Sequence, residues 1–179
     1  SHRFLLNLMS RFLQNRLISA TIILCSLPTR KLFLTLASGF GLGYMPVASG
    51  TWGSLWGVAL YFALYRLQLV PYLVTLFALI FLSAWIADQA ERFLGAKDPG
   101  IIVIDEVVGM LTALTFLPIT WEWILAAFLL FRLFDIWKPF PARWIQDHVP
   151  GGWGVVGDDI MAGIYANLIL QIALRFLWG

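Results

Sequence analysis

Five apolar stretches, separated by short polar segments, limit what this chain can fold into. A helix needs about 20 apolar residues to cross a bilayer, so the first and last stretches are long enough to span alone, whereas the middle three are short or interrupted. Of the 179 residues, 60% are apolar and only 12% are charged, a composition far outside that of soluble proteins. The sequence predicts an all-α, polytopic integral membrane helical bundle with about five membrane-embedded helices. The five stretches are residues 51–70, 72–87, 107–118, 123–134 and 160–178.

The N-terminal part of the chain has a different pattern. In residues 3–16 (RFLLNLMSRFLQNR), apolar side chains fall on one helical face, and polar or basic side chains fall largely on the other. This pattern is typical of an interfacial amphipathic helix, and the alternative is a mobile leader that the function does not need. We therefore divide the chain into an N-terminal interfacial segment, residues 1–30, and a membrane-embedded domain, residues 31–179. No cleavable signal is expected, because no small-residue cleavage pattern follows the apolar part.

The distribution of Lys and Arg predicts the orientation of the helices, because these residues favour cytoplasmic loops. If the chain before residue 51 is inside, the basic residues collect in the inside segments, and the outside turns at 68–71 and 118–122 contain none. The polar motifs of the chain then all fall on the cytoplasmic side, where segments distant in sequence can meet. These motifs are GFGLGYMPVASGTWGS (39–54), DPGIIVIDE (98–106), FRLFDIWKP (131–139) and GVVGDD (154–159).

Acidic residues are concentrated at these cytoplasmic helix ends. Ionised carboxylates that converge at a membrane boundary repel one another and are costly to desolvate, so a positive charge must offset them. Mg²⁺ suits this role, because it takes oxygen ligands and is typically held by one or two carboxylates together with phosphate oxygens of a substrate. The sequence therefore predicts a metal site. Its candidate ligands are Asp105, Glu106, Asp135, Asp158 and Asp159.

Some of these acids also have a structural interpretation. Asp158 could be the N-cap of the last helix, with Asp159 favoured by the helix dipole. Asp135 lies three residues from Arg132 and could form an ion pair with it. The adjacent acids that end the DPGIIVIDE motif are hardest to explain in this way, because apolar residues precede and follow them. The metal-site prediction therefore depends chiefly on that pair.

Basic and glycine-rich segments accompany the acids. Arg132, Lys138 and Arg143 offer donors suited to phosphate, and their alternative role is anchoring at anionic lipid headgroups. The glycine-rich stretch enters an apolar helix at Thr51, so its backbone N–H groups and the hydroxyls of Thr51 and Ser54 are candidates for binding an anion. The alternative is close helix packing through its glycines.

The residue inventory excludes several hydrolytic mechanisms. Cys25, the only cysteine, does not have the spacing from Arg30 that the cysteine phosphatase loop requires. His148 is the only internal histidine, which excludes a two-histidine phosphatase mechanism, and no nucleophile elbow accompanies it for a serine triad. Carboxylates, cations and a metal remain, and these suit phosphoryl transfer by positioning and charge neutralisation.

Four motifs together resemble the phosphatidylglycerophosphatase A family: GLGYMPVASGTWGS, IVIDEVVGM, FRLFDIWKPFPARW and GVVGDDIMAG, in that order. The resemblance covers roughly residues 33–178. It implies Mg²⁺-dependent hydrolysis of the terminal phosphate of phosphatidylglycerophosphate, giving phosphatidylglycerol and inorganic phosphate. It also implies a multi-pass protein of the bacterial cytoplasmic (inner) membrane with its active site facing the cytoplasm. One departure is Ser49, where the family usually has proline, and we expect this change to loosen the loop.

The residue patterns and the resemblance together lead to a hypothesis for the roles of individual residues. The five acids would hold the metal, directly or through water. The catalytic set would be Asp105, Glu106, Asp135 and Asp159, with Glu106 or Asp135 orienting or deprotonating the attacking water. The substrate-binding set would be Thr51, Ser54, Arg132, Lys138 and Arg143, with Arg143 nearer the glycerol or the second phosphate. The expected partners are the lipid substrate and membrane lipids, and no nucleic acid.

Two alternatives come from other classes of membrane protein. A cation- or proton-coupled transporter could use clustered intramembrane carboxylates, but it predicts acids distributed through the depth of the bilayer. A phosphatidyltransferase also uses metal-bound aspartates, but its motif needs an Asp followed by Gly, and this chain has none. The transporter is therefore the alternative that we carry forward.

Overall fold

The computed structural model describes residues 27–178, and every regular element among them is helical. The all-α class is therefore confirmed for this part of the chain. The amphipathic helix predicted for residues 3–16 lies outside the described residues, as does Cys25. The helices are α1 (Leu27–Ala37), α2 (Ser49–Leu64), α3 (Leu69–Leu94), α4 (Ile104–Leu114), α5 (Trp121–Trp137), α6 (Ala142–His148) and α7 (Gly152–Trp178), with a 3₁₀ turn (Leu42–Tyr44) between α1 and α2.

The chain divides into two units by its internal contacts, residues 1–32 and residues 33–179. In the larger unit α4 is the central helix, and it packs against α2, α3, α5 and α7. Its side chains from Val107 to Leu111 are all buried, and Phe131 of α5 and Val156 of α7 are fully buried beside it. A helix that is apolar on every side belongs in the interior of a bundle, which explains the position of α4.

Glycines allow α2 to approach α4 closely. A Cβ atom added at Gly53 would lie 2.8 Å from the carbonyl oxygen of Val103, and one at Gly57 would lie 2.7 Å from that of Val107. Either side chain would collide with backbone and push the two helices apart. Close packing therefore accounts for these two glycines of the glycine-rich stretch.

Two of the described helices, Leu69–Leu94 and Gly152–Phe176, are long and apolar enough to cross a bilayer, judged by length and composition alone. The stretch 51–70, expected to span alone, forms a helix that ends at Leu64; its 16 residues extend about 24 Å at 1.5 Å per residue, against about 30 Å of hydrocarbon. The stretch 72–87, expected to be short, lies within a helix of 26 residues. The helix is longer than the apolar run because it continues through polar residues. It ends at Gly95, whose left-handed backbone forms the C-cap.

Candidate metal and phosphate site

Three helices bring the predicted acids to one end of the bundle. Asp105 and Glu106 lie in the first turn of α4, and Asp135 lies in the last turn of α5. Asp158 and Asp159 lie in the second turn of α7, which begins at Gly152. The N-cap interpretation of Asp158 is therefore wrong, because the helix starts six residues earlier in a run of glycines that the sequence pattern did not mark as helical.

The carboxylates form a buried cluster. One oxygen atom from each of Asp105, Glu106 and Asp159 lies within 4.8 Å of the other two. Asp105, Asp158 and Asp159 are buried, with 6%, 3% and 3% of their surface exposed. Leaving a buried polar atom without a partner costs about 1–3 kcal/mol, and more if it is charged. Four oxygens in the described part of the chain are buried and lack a hydrogen-bond partner: Asp105 Oδ1, Glu106 Oε2, Asp158 Oδ1 and Asp159 Oδ2.

The cluster holds its protons tightly when no cation balances it. Asp105 and Glu106 lie outside both candidate spans. Burial raises the pKa of Asp105 well above its ordinary value, and repulsion from Glu106 adds to the effect. Burial also raises the pKa of Glu106 to about 8, with further repulsion from Asp159 and Asp135. An oxygen-only donor set that tolerates its own negative charge this poorly fits a hard divalent cation, which would displace the protons and balance the carboxylates.

Two basic side chains face the cluster. Arg132 Nη1 lies 2.6 Å from Asp135 Oδ2, so the ion pair that the sequence allowed is present. The Lys138 ammonium donates a hydrogen bond to the Asp158 carboxylate. Burial alone would lower the pKa of Lys138, but the attraction and hydrogen bond to Asp158, together with attraction to Asp159 and Asp135, more than offset it, and the pKa is raised. Both basic side chains are therefore paired with acids of the cluster and partly shielded from solvent.

The first turn of α2 closes another side of the cluster. A Cβ atom at Gly50 would lie 2.7 Å from Arg132 Nη1 and closer still to Glu106 Oε1. The backbone of Gly50 is therefore in direct contact with the site, and Thr51 follows it in a half-buried position. Ser54 is fully buried, and its hydroxyl donates to the carbonyl oxygen of Gly50 at 2.8 Å. The proton of Ser54, a predicted substrate ligand, is thus used within its own helix.

Ser49 links the glycine-rich loop to the segment that precedes α4. Its hydroxyl donates to the carbonyl oxygen of Gly100 at 2.8 Å. The backbone N–H of Val103 also donates to the carbonyl oxygen of Ala37 at 2.9 Å, which ties the same segment to the end of α1. The Ser49 hydroxyl supplies a tether that proline could not, and the loosening expected from serine at this position stays a prediction.

Arg143 is not brought into the cluster. It lies in an exposed position on α6, and no ion pair joins it to a carboxylate within residues 27–178. A group that the sequence did not assign is close instead. Asp98 accepts a hydrogen bond from Gln146 at 2.7 Å, and its charge adds to the repulsion that raises the pKa of Asp105. The sequence shows Asp98 in the DPGIIVIDE motif, but only the tertiary structure shows that it contacts Gln146 on α6.

Comparisons with known proteins give a consistent result. A family model described as phosphatidylglycerophosphatase A matches residues 35–174. Phosphatidylglycerophosphatase A of Haemophilus influenzae is 43% identical over 137 residues, which cover 75% of this chain and 84% of that protein. The protein of the same name from Escherichia coli K12 is 38% identical over 136 residues, 75% of this chain and 79% of its own length. A Bacteroides thetaiotaomicron protein provisionally named phosphatidylinositol-3-phosphatase is 38% identical over 146 residues, 77% of this chain and 91% of that protein. No solved structure gives a significant match.

Proposed function

The chain belongs to the phosphatidylglycerophosphatase A family and is a phosphatase, and we propose that its substrate is phosphatidylglycerophosphate. Water would replace the lipid on the terminal phosphorus, and the products would be phosphatidylglycerol and inorganic phosphate. The single observation that carries this proposal is the set of four buried carboxylate oxygens without partners, adjacent to two charged basic side chains. Such a site is arranged to receive a cation and a phosphate together.

We infer that the cofactor is Mg²⁺, held by Asp105, Glu106 and Asp159, with Asp135 and Asp158 as ligands directly or through water. The oxygen-only donor set supports this choice over softer metals. When bound, the ion would neutralise charge on the phosphate and lower the pKa of a coordinated water.

The different surroundings of Asp135 and Glu106 suggest different roles in the reaction. Asp135 is already bound by Arg132, whereas Glu106 has an oxygen with no partner. Once the cation has displaced the proton of Glu106, this unpartnered oxygen is free to accept one, so we assign the orientation and deprotonation of the attacking water to Glu106. Arg132 and Lys138 would bind the phosphate oxygens, and Thr51 could add its hydroxyl from the turn that contains Gly50. Arg143 would act only on the more distant part of the headgroup.

A membrane location supports a lipid substrate. We propose that α3 and α7 cross the bacterial cytoplasmic membrane, that α2, α4 and α5 are embedded in it, and that the acidic end faces the cytoplasm. A groove of about 370 Å³ is lined by Trp137 and Pro139, the sequence neighbours of Lys138, and by Tyr165, Leu168 and Ile169 of α7. Its lining is almost entirely apolar, which suits lipid chains attached to a phosphate at Lys138. The transporter alternative gains no support, because the buried acids lie at one end of the bundle and the family is one of phosphatases.

The test is phosphate release from phosphatidylglycerophosphate by the purified full chain in detergent, with Mg²⁺ and with EDTA. We expect release that requires Mg²⁺ and disappears in an Asp105→Asn variant. Asp147→Asn is the matched control, because Asp147 is an exposed acid outside the cluster. Release that continues in EDTA, or that the Asp105→Asn variant retains, would contradict the proposed mechanism. Release of phosphate from other lipid phosphomonoesters but not from phosphatidylglycerophosphate would contradict the proposed substrate.

A further inference from the structure

Asp98 is held in a fixed position between α3 and α6. Its backbone is left-handed, with φ of +46°, a conformation that costs energy for a residue other than glycine and persists where surrounding contacts hold it. Its N–H group donates to Glu91 Oε1 at 2.6 Å, and its Oδ2 atom accepts a hydrogen bond from Gln146 Nε2 at 2.7 Å. Both the backbone and the carboxylate of Asp98 are therefore fixed by neighbours.

The packing of α6 places Asp98 beside the acidic cluster. Helix α6 packs on α7, and a Cβ atom added at Gly157 would lie 2.8 Å from Ile145 Cγ2. Ile145 precedes Gln146, and Gly157 precedes Asp158, so the hydrogen bond from Gln146 sets Asp98 near the turn of α7 that carries Asp158. The charge of Asp98 also reaches Asp105, where it adds to the repulsion described above.

Within residues 27–178, the side-chain hydrogen bond to the Asp98 carboxylate comes from a neutral donor. This carboxylate is in none of the ion pairs found within residues 27–178, and its partner Gln146 is a neutral amide, which an asparagine oxygen at position 98 could satisfy equally well. Meanwhile the charge repels Asp105, whose Oδ1 atom is buried without a partner, as is Oδ1 of Asp158. A charge that only costs energy in the protein alone becomes favourable when a cation lies between these groups.

We propose that Asp98 is a positioning residue of the cation site. It would act through water on the side of a hard divalent cation that faces Asp105 and Asp158, and Gln146 would hold its carboxylate in place. We place Asp98 outside the direct ligands, because it is not among the three acids whose oxygens lie within 4.8 Å of one another. Mg²⁺ keeps several of its waters, and groups that bind the ligands or waters of a metal typically contribute 10–100-fold to its affinity. The inference rests on the proposed function only in requiring a divalent cation at Asp105.

The test is Mn²⁺ binding by the full chain in detergent without substrate, measured by electron paramagnetic resonance of the free ion. Asp98→Asn keeps the size of the side chain and an acceptor for Gln146 while removing the charge, and we expect it to weaken Mn²⁺ binding about tenfold. Asp98→Glu restores the charge and should recover part of the affinity. Asp147→Asn is the matched control: it makes the same charge change at an exposed position next to Gln146, and we expect its affinity to stay within about twofold of wild type.

Two results would overturn the inference: Mn²⁺ binding by Asp98→Asn equal to that of wild type, or equal weakening by Asp147→Asn. If Asp98→Asn does not fold, Gln146→Ala provides the test, because it keeps the charge but removes its hydrogen bond; severalfold weaker binding supports the inference, and unchanged binding overturns it. Weaker binding by Asp98→Asn in a chain that does not hydrolyse phosphatidylglycerophosphate would leave the inference standing and reject the proposed substrate. Normal Mg²⁺-dependent hydrolysis with unaltered Mn²⁺ binding by Asp98→Asn would reject the inference alone.

Discussion

The two ends of α4 differ in whether their buried polar groups have hydrogen-bond partners. At the C-terminal end, side-chain donors reach the free carbonyl oxygens: Tyr72 donates to Leu111 at 3.2 Å, Asn167 donates to Ala113 at 2.9 Å, and Tyr61 donates to Leu117 at 2.9 Å. At the N-terminal end, carboxylate oxygens are buried without partners. Buried polar groups with hydrogen-bond partners stabilise a fold. Buried carboxylate oxygens without partners destabilise it, and their presence indicates that they bind a ligand. The comparison separates the part of this helix that supports structure from the part that supports chemistry.

Removing a carboxylate at the N-terminal end should have the largest effect on activity. We expect Asp105→Asn to lower phosphate release on the order of 10³–10⁴-fold, as loss of a central catalytic carboxylate does elsewhere. The same change relieves repulsion with Glu106, so the midpoint of thermal unfolding in EDTA should not fall. Phosphate assays and thermal unfolding of the same preparation check both expectations. A large loss of stability would mean that this end is structural after all.

Gly50→Ala should lower activity by displacing side chains at the N-terminal end of α4. The new methyl group would collide with the flexible ends of Glu106 and Arg132, which can move aside without unfolding the bundle. We expect activity to fall about 10²-fold, the cost of misplacing a reacting group by about 1 Å, with little change in unfolding temperature. Gly100→Ala is the control, because nothing lies within 4 Å of the added Cβ atom. An active Gly50→Ala enzyme would show that contact with this turn is dispensable.

The protons held at the N-terminal end should compete with the cation. Because the pKa of Glu106 is about 8 without a cation, this residue is mostly protonated below that pH and must lose its proton to bind metal. We expect Mn²⁺ affinity to rise with pH between pH 6 and 8, by up to about tenfold per pH unit for each proton that the cation displaces. Titrations of Mn²⁺ at several pH values check this, and Glu106→Gln should flatten the dependence. A Mn²⁺ affinity that falls with rising pH would contradict competition between protons and the cation.

A change at the C-terminal end should affect stability and leave the chemistry intact. Asn167→Leu removes the donor that reaches the carbonyl oxygens of Ala113 and Thr115, and an unpaired buried group costs about 1–3 kcal/mol. We expect a corresponding loss in the free energy of unfolding, with near-normal phosphate release below the unfolding temperature. Ile172→Ala, at an exposed position of the same helix outside the proposed lipid groove, is the control. A specific loss of activity in a stable Asn167→Leu protein would remove the contrast between the two ends.

Sequence patterns predicted the acidic cluster better than they predicted its surroundings. Two adjacent acids inside an apolar run have no local explanation, so Asp105 and Glu106 were visible without a structure. The start of α7 was not, because the glycines before Asp158 hide a helix that tertiary packing stabilises. Asp98 was missed for a related reason: it joins the cluster through Gln146, 48 residues away in the chain. Short-range patterns contain no information about such a pair.

The central claim is that the N-terminal end of α4 is reserved for a divalent cation, and thermal unfolding with and without Mg²⁺ tests it most directly. A ligand that binds only the folded state raises its stability by RT ln(1 + [L]/Kd), about 2.7 kcal/mol at 100 times Kd. We predict that Mg²⁺ raises the unfolding temperature of the wild-type chain over its value in EDTA and has no such effect on Asp105→Asn. Equal unfolding temperatures for the wild type in Mg²⁺, Mn²⁺ and EDTA would contradict the account.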